Sequence, residues 1–272
     1  MKDVAVTGGF DNLGSRELRF LQEASTLGPL TALLWSDEAL TLLTGKTPKF
    51  ALSERLYFLN AVRYVSRVMP VGPTLNFDVL PDVEGFRPQV WVDEPNLANA
   101  APRQTFCREH GLEHYILPPE RLQGFPELPV ASRGPGRKRV VVTGCYDWFH
   151  SGHVRFFEEV SAYGDLYVIV GHDANIRLLK GDGHPFLPQE ERRYLTASIR
   201  YVTEALISSG DGWLDAEPEL RRLKPHIYAV NEDGDRGGKR EYCEQHGIQY
   251  LVLKRIPAPG LPMRTSTDLR GF

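Results

Sequence analysis

The chain contains the same unit twice. The segment Val4–Gly28 reads VAVTGGFDNLGSRELRFLQEASTLG, and the segment Val140–Gly164 reads VVVTGCYDWFHSGHVRFFEEVSAYG. At an offset of 136 positions, 11 of these 25 aligned pairs are identical, far more than unrelated segments share. The alignment continues in later segments and predicts two copies of one domain, at residues 1–118 and 139–272, joined by a Pro- and Gly-rich linker at 119–138.

Each copy alternates apolar runs with amphipathic stretches. In the second copy, Val140–Val142 and Leu166–Val170 are β-branched runs typical of buried strands, and the stretch between them has helical periodicity. Strands that alternate with helices predict a parallel sheet covered on both faces. We therefore predict the α/β class, with two tandem Rossmann-like domains whose ligands bind at the carboxyl ends of the strands.

Composition excludes several functional classes. A net charge of -3 gives no electrostatic basis for binding nucleic acid. No apolar run is long enough for an export signal or a membrane span. The cysteines Cys107, Cys145 and Cys243 are odd in number and far apart, so they predict neither a disulfide framework nor a metal motif. We expect a protein of the reducing cytoplasm.

The loop after the first strand of the second copy carries two histidines. His150 and His153 are three residues apart at a predicted helix start, so their side chains share one face. A helix N-terminus favours phosphate, and Gly152 allows a ligand to approach the backbone. A metal-dependent hydrolase is the alternative use of such a pair, although no third ligand follows at suitable spacing.

The whole pattern, strand–TGxxDxxHxGH–helix, resembles the HxGH signature of the cytidylyltransferase superfamily, whose domains are of the HUP-type Rossmann-like fold. The two-copy layout resembles the ethanolamine-phosphate enzymes, and glycerol-phosphate enzymes are similar too. The resemblance implies transfer of CMP from CTP to a small phosphorylated alcohol, with release of pyrophosphate and with Mg²⁺ accompanying the triphosphate. Two alternatives remain open: adenylyl transfer from ATP, as in the ADP-heptose synthases, and a non-catalytic nucleotide-binding protein.

The resemblance also implies roles for individual residues. We expect the catalytic residues to be His150, His153, Lys180 and Arg264. Contacts to the nucleotide are expected from Thr143, Gly144, Cys145, Tyr146, Gly152, Arg192, Arg200, Asn231, Asp233, Thr265, Ser266 and Thr267. Contacts to the acceptor substrate are expected from Asp147, Trp148, His172 and Asp173.

The chain departs from the family pattern at two places. Thr203 stands where the family has Asp, after the Arg200-Tyr201-Val202 sequence. The Gly-Ile pair of the C-terminal motif is also missing, which leaves open whether Arg255 or Arg264 reaches the phosphates. Near the histidines, an acidic and aromatic pocket could suit an acceptor with a cationic head group.

The first copy lacks the chemistry of the second. Gly14 stands at the position of His150, and Glu17 stands at the position of His153. A carboxylate at this point would repel a triphosphate, so we predict that the first copy is catalytically inactive. We expect it to act as a built-in partner in an intramolecular pseudo-dimer. A homodimer, or a different ligand for the first copy, remains open.

Overall fold

The computed structural model describes residues 1–73, 76–95, 100–131, 134–266 and 269. The chain divides into two compact units, unit 1 at Met1–Gly124 and unit 2 at Phe125–Phe272. The division falls inside the segment 119–138 that the sequence marks as a linker. Its first part forms a 3₁₀ turn at Pro119–Leu122 and belongs to unit 1, whereas the rest belongs to unit 2.

Unit 1 is a parallel five-stranded sheet flanked by helices, with strand order β3-β2-β1-β4-β5. Its elements are, in chain order, β1 (Val4–Gly8), α1 (Ser15–Ser25), β2 (Leu30–Trp35), α2 (Asp37–Thr44), α3 (Leu52–Ala61), β3 (Arg67–Val71), β4 (Val90–Asp93), α4 (Ala101–Glu109) and β5 (Glu113–Ile116). Strands that alternate with helices produce this arrangement because each parallel connection must cross the sheet.

Unit 2 repeats this topology, with strand order β10-β9-β6-β7-β8. Its elements are β6 (Arg139–Gly144), α5 (Ser151–Ser161), β7 (Asp165–Val170), α6 (Asp173–Lys180), α7 (Gln189–Ala197), β8 (Val202–Ile207), α8 (Glu217–Leu223), β9 (Ile227–Asn231), α9 (Lys239–Gln245) and β10 (Gln249–Leu253). Short 3₁₀ turns lie at Gly212–Leu214 and Glu232–Gly234. The predicted fold class, two tandem Rossmann-like domains, is confirmed.

The central strands of unit 2 form its core. The side chains of Val140–Val142 are fully buried, because helices cover both faces of the sheet. Helix α5 turns Val154, Phe157 and Val160 toward the sheet, at the i, i+3, i+6 spacing of an amphipathic helix. The strand order reverses between β6 and β9, so their following loops diverge and leave a crevice at the carboxyl ends.

A buried arginine ties three segments of unit 2 together. Arg192 is 0% exposed, and its guanidinium donates to the carbonyl oxygens of Leu187 at 2.9 Å and Cys145 at 2.8 Å. Its Nη2 also pairs with the Asp173 carboxylate at 2.5 Å. With all its donor directions turned inward, this side chain holds the loop after β6 against α6 and α7. The structure thus corrects the predicted nucleotide contact of Arg192 to a role in the scaffold.

Unit 1 contains the same bonds at the matching positions. Arg55 is 2% exposed and donates to the carbonyl oxygens of Phe50 at 2.9 Å and Gly9 at 2.6 Å. Its Nη2 pairs with Asp37 at 2.6 Å. Since unit 1 has no histidine pair to support, the repeated arginine serves the fold rather than the site.

None of the helices in the described residues has the length and apolar character needed to cross a membrane.

Candidate functional site

Unit 2 has a cleft where the strand order reverses. It has a volume of about 560 Å³ and opens at the carboxyl ends of β6 and β9. Predicted site residues that line it are Thr143, Gly144, Cys145, Tyr146, Asp147, Trp148, His150, Gly152, His153, Lys180, Asn231, Asp233, Thr265 and Ser266. Thr267 lies outside the described residues. The sheet therefore brings most of the predicted residues together at the position where parallel sheets bind ligands.

His150 caps the helix that it precedes. Its backbone is extended, and its Nδ1 accepts a hydrogen bond from the Gly152 backbone N–H at 3.1 Å. Because Nδ1 is an acceptor here, a neutral His150 carries its proton on Nε2. Gly152 is required for this arrangement, since a Cβ at that position would lie 2.9 Å from the His150 ring. The imidazole is 3% exposed and is fixed at the helix mouth.

His153 stacks on His150, with ring centroids 4.0 Å apart. Its Nδ1 is buried and has no hydrogen-bond partner among the described residues. Burial is the main cause that holds the pKa of His153 well below its usual range, and positive charge on His150, Arg255 and Lys180 lowers it further. A neutral imidazole whose buried nitrogen has no hydrogen-bond partner, with positive groups nearby, favours the binding of an anion.

Tyr146 forms a wall behind this pair. Its backbone is left-handed, with φ of 55°, and this places the ring against Gly144, where a Cβ would lie 2.7 Å from Tyr146 Cζ. The ring meets His153 edge to face at 5.3 Å and Phe157 at 5.4 Å. Burial raises the pKa of the Tyr146 phenol, which therefore stays neutral. Tyr146 holds the histidine in place and also faces the cleft.

Lys180 reaches the same space from the end of α6. Burial raises the pKa of the Cys145 thiol, and the positive charge of Lys180 opposes this effect. Its charge also acts on His153. Lys180 thus supplies positive charge beside the histidine pair, on the side of β7.

The chain returns to the cleft after β10, and here Arg255 rather than Arg264 presents its guanidinium. Arg255 pairs with Asp233 at 2.6 Å and donates to the Arg264 carbonyl oxygen at 2.5 Å. Arg264 borders a small neighbouring pocket and does not line the cleft. Of the two arginines that the sequence left open, the structure places Arg255 in the cleft, so the predicted position of Arg264 there is corrected to Arg255.

Three further cleft residues, Arg236, Lys239 and His184, were not singled out from the sequence. Lys239 starts α9 and donates to the Gly234 carbonyl oxygen at 3.1 Å. Burial lowers the pKa of Lys239, an effect that the nearby carboxylates of Asp235 and Asp215 oppose. Arg236 and Lys239 could have been found from their position shortly after β9, because the carboxyl end of that strand lies next to the point where the strand order reverses.

Three predicted residues lie elsewhere. Arg200 is exposed and lies between α7 and β8, at the amino end of the strand and away from the cleft. His172 caps α6 by accepting from the Asn175 backbone N–H, and its Nε2 meets the Gly210 carbonyl oxygen at 2.8 Å. Asp173 pairs with Arg192. The structure therefore gives neither His172 nor Asp173 the predicted contact to an acceptor.

Asp147 lines the cleft, but its carboxylate is already engaged. Its oxygens accept hydrogen bonds from the backbone N–H groups of Phe186 and Leu187, each at 2.8 Å. In unit 1, Asp11 holds the N–H groups of Lys49 and Phe50 at 2.8 and 2.9 Å in the same way. This repeated clamp fixes the loop before α3 in unit 1 and the loop before α7 in unit 2.

Unit 1 has its own cleft at the corresponding place, with a volume of about 480 Å³. Its polar lining is acidic and includes Asp11, Glu17, Asp93 and Glu94. Glu17 accepts from the Gly14 backbone N–H at 3.0 Å, so the residue that replaces His153 caps its helix. Burial raises the pKa of Glu94. This cleft is unsuited to a triphosphate.

The described part of the chain has no ready ligand set for a protein-held metal ion. Among the described residues, no group of three or more His, Cys, Asp or Glu side chains could hold one. Of the carboxylates in the unit 2 cleft, Asp147 accepts from two amides and Asp233 pairs with Arg255. The residues present do not fit a protein-bound Mg²⁺, so a metal would have to arrive on the phosphates of a nucleotide.

Comparison with known proteins shows the family of the chain. A model of the cytidylyltransferase-like family matches residues 141–265. The FAD synthase of Thermococcus kodakarensis is 37% identical over 122 residues, which cover 44% of this chain and 79% of that protein. The chain belongs to the cytidylyltransferase-like family. The matched segment runs from within β6 to the tail after β10 that returns to the cleft, so the family assignment rests on unit 2.

Other relatives of this cytidylyltransferase-like chain are larger proteins or more distant structures. The bifunctional protein HldE of Pelobacter propionicus is 32% identical over 120 residues, 43% of this chain and 24% of that protein. The chain therefore spans about a quarter of that relative. A lipopolysaccharide core biosynthesis protein of Thermoplasma volcanium is 22% identical, with a TM-score of 0.38, over 45% of this chain and 99% of that one.

Proposed function

We propose that unit 2 is a nucleotidyltransferase, which moves a nucleoside monophosphate from a triphosphate to a phosphorylated alcohol. The observation that carries the proposal is the stacked pair His150 and His153 at the mouth of α5. One ring nitrogen of His153 is buried without a partner in the described part of the chain, and the positive charges of Lys180 and Arg255 act on the same ring. These features converge on an anion at the helix N-terminus.

The proposed reaction needs no nucleophile from the protein. A phosphate oxygen of the acceptor attacks the α-phosphorus of the nucleotide, and the bond from this phosphorus to the oxygen bridging to the β-phosphorus breaks. Pyrophosphate leaves with that oxygen and its electron pair. The enzyme contributes position and charge, as in other phosphoryl transfers. No covalent intermediate with the protein forms.

Individual residues act at the transferred phosphate. The N–H groups of His150 and His153 donate to the α-phosphate oxygens as negative charge moves toward the leaving group. Lys180 neutralises charge from the β7 side, and Arg255 does so from the β9 side, where Asp233 orients its guanidinium. We propose that Mg²⁺ enters with the triphosphate and neutralises part of its charge when bound.

The relatives favour ATP over CTP as the nucleotide donor. The sequence alone favoured CTP, with ATP as the alternative. The matched relatives are named FAD synthase and HldE, and FAD is a dinucleotide that contains an adenylyl group. We therefore propose adenylyl transfer from ATP. The Arg200-Tyr201-Val202 sequence that favoured CTP lies away from the cleft, so cytidylyl transfer from CTP is kept as the second candidate.

The test is pyrophosphate release by the full chain. ATP or CTP is supplied with Mg²⁺ and a panel of phosphorylated alcohols, and His153→Ala and Glu17→Gln serve as the active-site and matched control variants. We expect release from ATP, loss in the first variant and retention in the second. Nucleotide-dependent thermal stabilisation without turnover would identify a binding protein instead. Neither stabilisation nor turnover with either nucleotide would refute the proposal.

A further inference from the structure

A tryptophan outside the cleft packs on the loop that carries two of the cleft's cations. Trp213 lies in the 3₁₀ turn Gly212–Leu214, between β8 and α8, and is 54% exposed. Its ring contacts the main chain of Gly237 and Gly238, shortly after β9. A Cβ on Gly238 would lie 3.0 Å from Trp213 Cη2 and 3.2 Å from Cζ2, and a Cβ on Gly237 would lie 3.6 Å from Cε3. The two glycines therefore let the indole lie directly on the backbone.

The backbone of Gly238 does not itself require glycine. Its φ of -79° and ψ of 21° form a conformation that residues with side chains also adopt. By contrast, Gly237 has a φ of 68°, in the left-handed region that favours glycine. At position 238, then, it is the close approach of the Trp213 ring that leaves no room for a side chain.

The glycine pair lies between two cations of the cleft. Arg236 precedes it and Lys239 follows it, and both side chains line the cleft. Lys239 also donates to the Gly234 carbonyl oxygen at 3.1 Å, within the same loop. Because both cations project from the backbone on either side of the glycine pair, the ring that packs on this pair sets the position of both.

The turn that carries Trp213 is itself anchored to α6. Asn175 is 1% exposed and exchanges two hydrogen bonds with Gly212. Its Nδ2 donates to the Gly212 carbonyl oxygen at 3.0 Å, and its Oδ1 accepts from the Gly212 backbone N–H at 2.8 Å. Helix α6 ends at Lys180, on the other side of the cleft. The indole thus packs on the loop after β9 from a turn that is fixed to the helix carrying Lys180.

The matching positions of unit 1 lack this contact. At the offset of 136 positions, Ala101-Pro102 stands at the place of the glycine pair, and Phe77 stands at the place of Trp213. The ring of Phe77 meets Trp35 edge to face, with centroids 5.2 Å apart. The contact of Trp213 with Gly237 and Gly238 is therefore not part of the shared scaffold, and like the histidine pair it belongs to unit 2.

Building on the proposed function, we propose that Trp213 is a positioning residue for the triphosphate of the nucleotide. Its ring fixes the Gly237–Gly238 segment, so that Arg236 and Lys239 are held at the cleft before the nucleotide binds. Trp213 itself does not contact a phosphate. Cations that are already in place bind an anion more tightly, since less loop and side-chain ordering is lost on binding. Removal of the ring should therefore weaken nucleotide binding and leave the chemical step nearly unchanged.

The experiment is a double-mutant cycle on the full chain, measured by pyrophosphate release from ATP. Trp213→Ala should raise the Michaelis constant for ATP about 10-fold and change kcat less than about twofold. Gly238→Ala should raise this constant about threefold when the ring is present, because the added Cβ displaces the ring, and hardly at all in the Trp213→Ala background. Tyr163→Ala, which removes an exposed aromatic side chain in the turn after α5, is the matched control and should leave all constants unchanged.

The cycle distinguishes positioning from a purely structural role. A lower thermal midpoint in Trp213→Ala with unchanged Michaelis constants would show that the ring only stabilises the fold, and the inference would be wrong. The same would follow if Gly238→Ala had an equal effect with and without the ring. A raised Michaelis constant for the acceptor, with that for ATP unchanged, would place the two cations at the acceptor and would also overturn the inference.

A binding measurement separates this inference from the proposed function. Calorimetry with inorganic pyrophosphate should show binding to the wild type and to Tyr163→Ala, and about 10-fold weaker binding to Trp213→Ala. If this result is obtained but no nucleotide is turned over, the positioning role stands and the proposed function fails. If ATP is turned over with equal Michaelis constants by the wild type and Trp213→Ala, the function stands and the inference fails. Absence of pyrophosphate binding by the wild type would also refute the inference.

Discussion

The two units have the same scaffold but different clefts. Both have a buried arginine with matching partners, Arg55 and Arg192, and both close a loop with an aspartate that accepts two amides. Both also place an aromatic residue, Phe10 or Tyr146, in the left-handed region after the first strand. These features are present in unit 1, which lacks the histidines. They therefore stabilise the fold that the two units share, and they are not specific to the proposed reaction.

The differences between the units mark the site. The histidine pair, the stacked rings of Trp148 and Phe186, and the tail that carries Arg255 are present in unit 2, whereas unit 1 has Glu17 and an acidic lining. Comparing the two copies therefore shows, for each residue, whether it belongs to the shared scaffold or to the candidate site of unit 2. A side chain with the same bonds in both copies belongs to the fold, and one found in unit 2 alone is a candidate for the reaction.

The largest effect should come from the histidine that unit 1 lacks. His153→Ala is expected to lower kcat by about 10²–10³-fold, because a donor fixed at the developing charge is removed. Glu17→Gln at the matching position keeps the helix cap and should not change kcat. Pyrophosphate release measures both, and thermal unfolding checks that both variants fold. Equal turnover by the wild type and His153→Ala would remove the distinction between the units.

The shared arginines should matter to stability in both units. Arg192→Met and Arg55→Met each leave buried carbonyl oxygens without a donor, at a cost of about 3 kcal/mol in unfolding free energy. Because the lost bonds match, the two losses should be similar in size, as measured by urea denaturation of the full chain. Weaker nucleotide binding in Arg192→Met, with unfolding free energy equal to that of the wild type, would instead place this residue in the site.

The C-terminal tail gives a smaller effect with a direct internal control. Arg255→Ala should raise the Michaelis constant for the nucleotide about 10-fold, as expected for one lost charge-assisted contact of roughly 1.5 kcal/mol. Arg264→Ala should have a much smaller effect, because that side chain does not line the cleft. The reverse order in steady-state kinetics would show that the tail rearranges when the nucleotide binds.

The pH dependence of stability should reveal the environment of His153. Its pKa in the folded chain lies well below the value of about 6.5 for an unfolded histidine, mainly through burial. Its stabilising effect is therefore complete above about pH 6.5 and is lost as pH falls toward the folded pKa, where the unfolded chain binds the extra proton. His153→Gln should flatten this decline in the thermal midpoint. An unchanged slope would mean that the imidazole is not buried as described.

Sequence reasoning predicted the fold and the centre of the cleft because both depend on local signals. The repeat, the β-branched runs and the loop from Thr143 to His153 place a helix mouth at the end of a central strand. The same reasoning missed Arg236 and Lys239, which follow no motif and reach the cleft only through the crossover of the strands. It also misjudged Arg192, since a conspicuous arginine in a sequence does not reveal whether its partners are phosphates or carbonyl groups.

The smallest effect is expected at Arg200, for which the family resemblance implies a nucleotide contact although the residue lies away from the cleft. The sequence Arg-Tyr-Val occurs in both units, beginning at Arg63 and at Arg200. In unit 2, Arg200 lies at the amino end of β8, whereas the cleft opens at the carboxyl ends of β6 and β9. Arg200→Ala should therefore change kcat and the Michaelis constants by less than about twofold, like other surface substitutions. Arg63→Ala, at a half-buried position of unit 1, is the matched variant and should also leave the kinetics of unit 2 unchanged. A tenfold loss in Arg200→Ala alone, in steady-state assays with ATP, would show that a feature present in both copies can still serve only one of them.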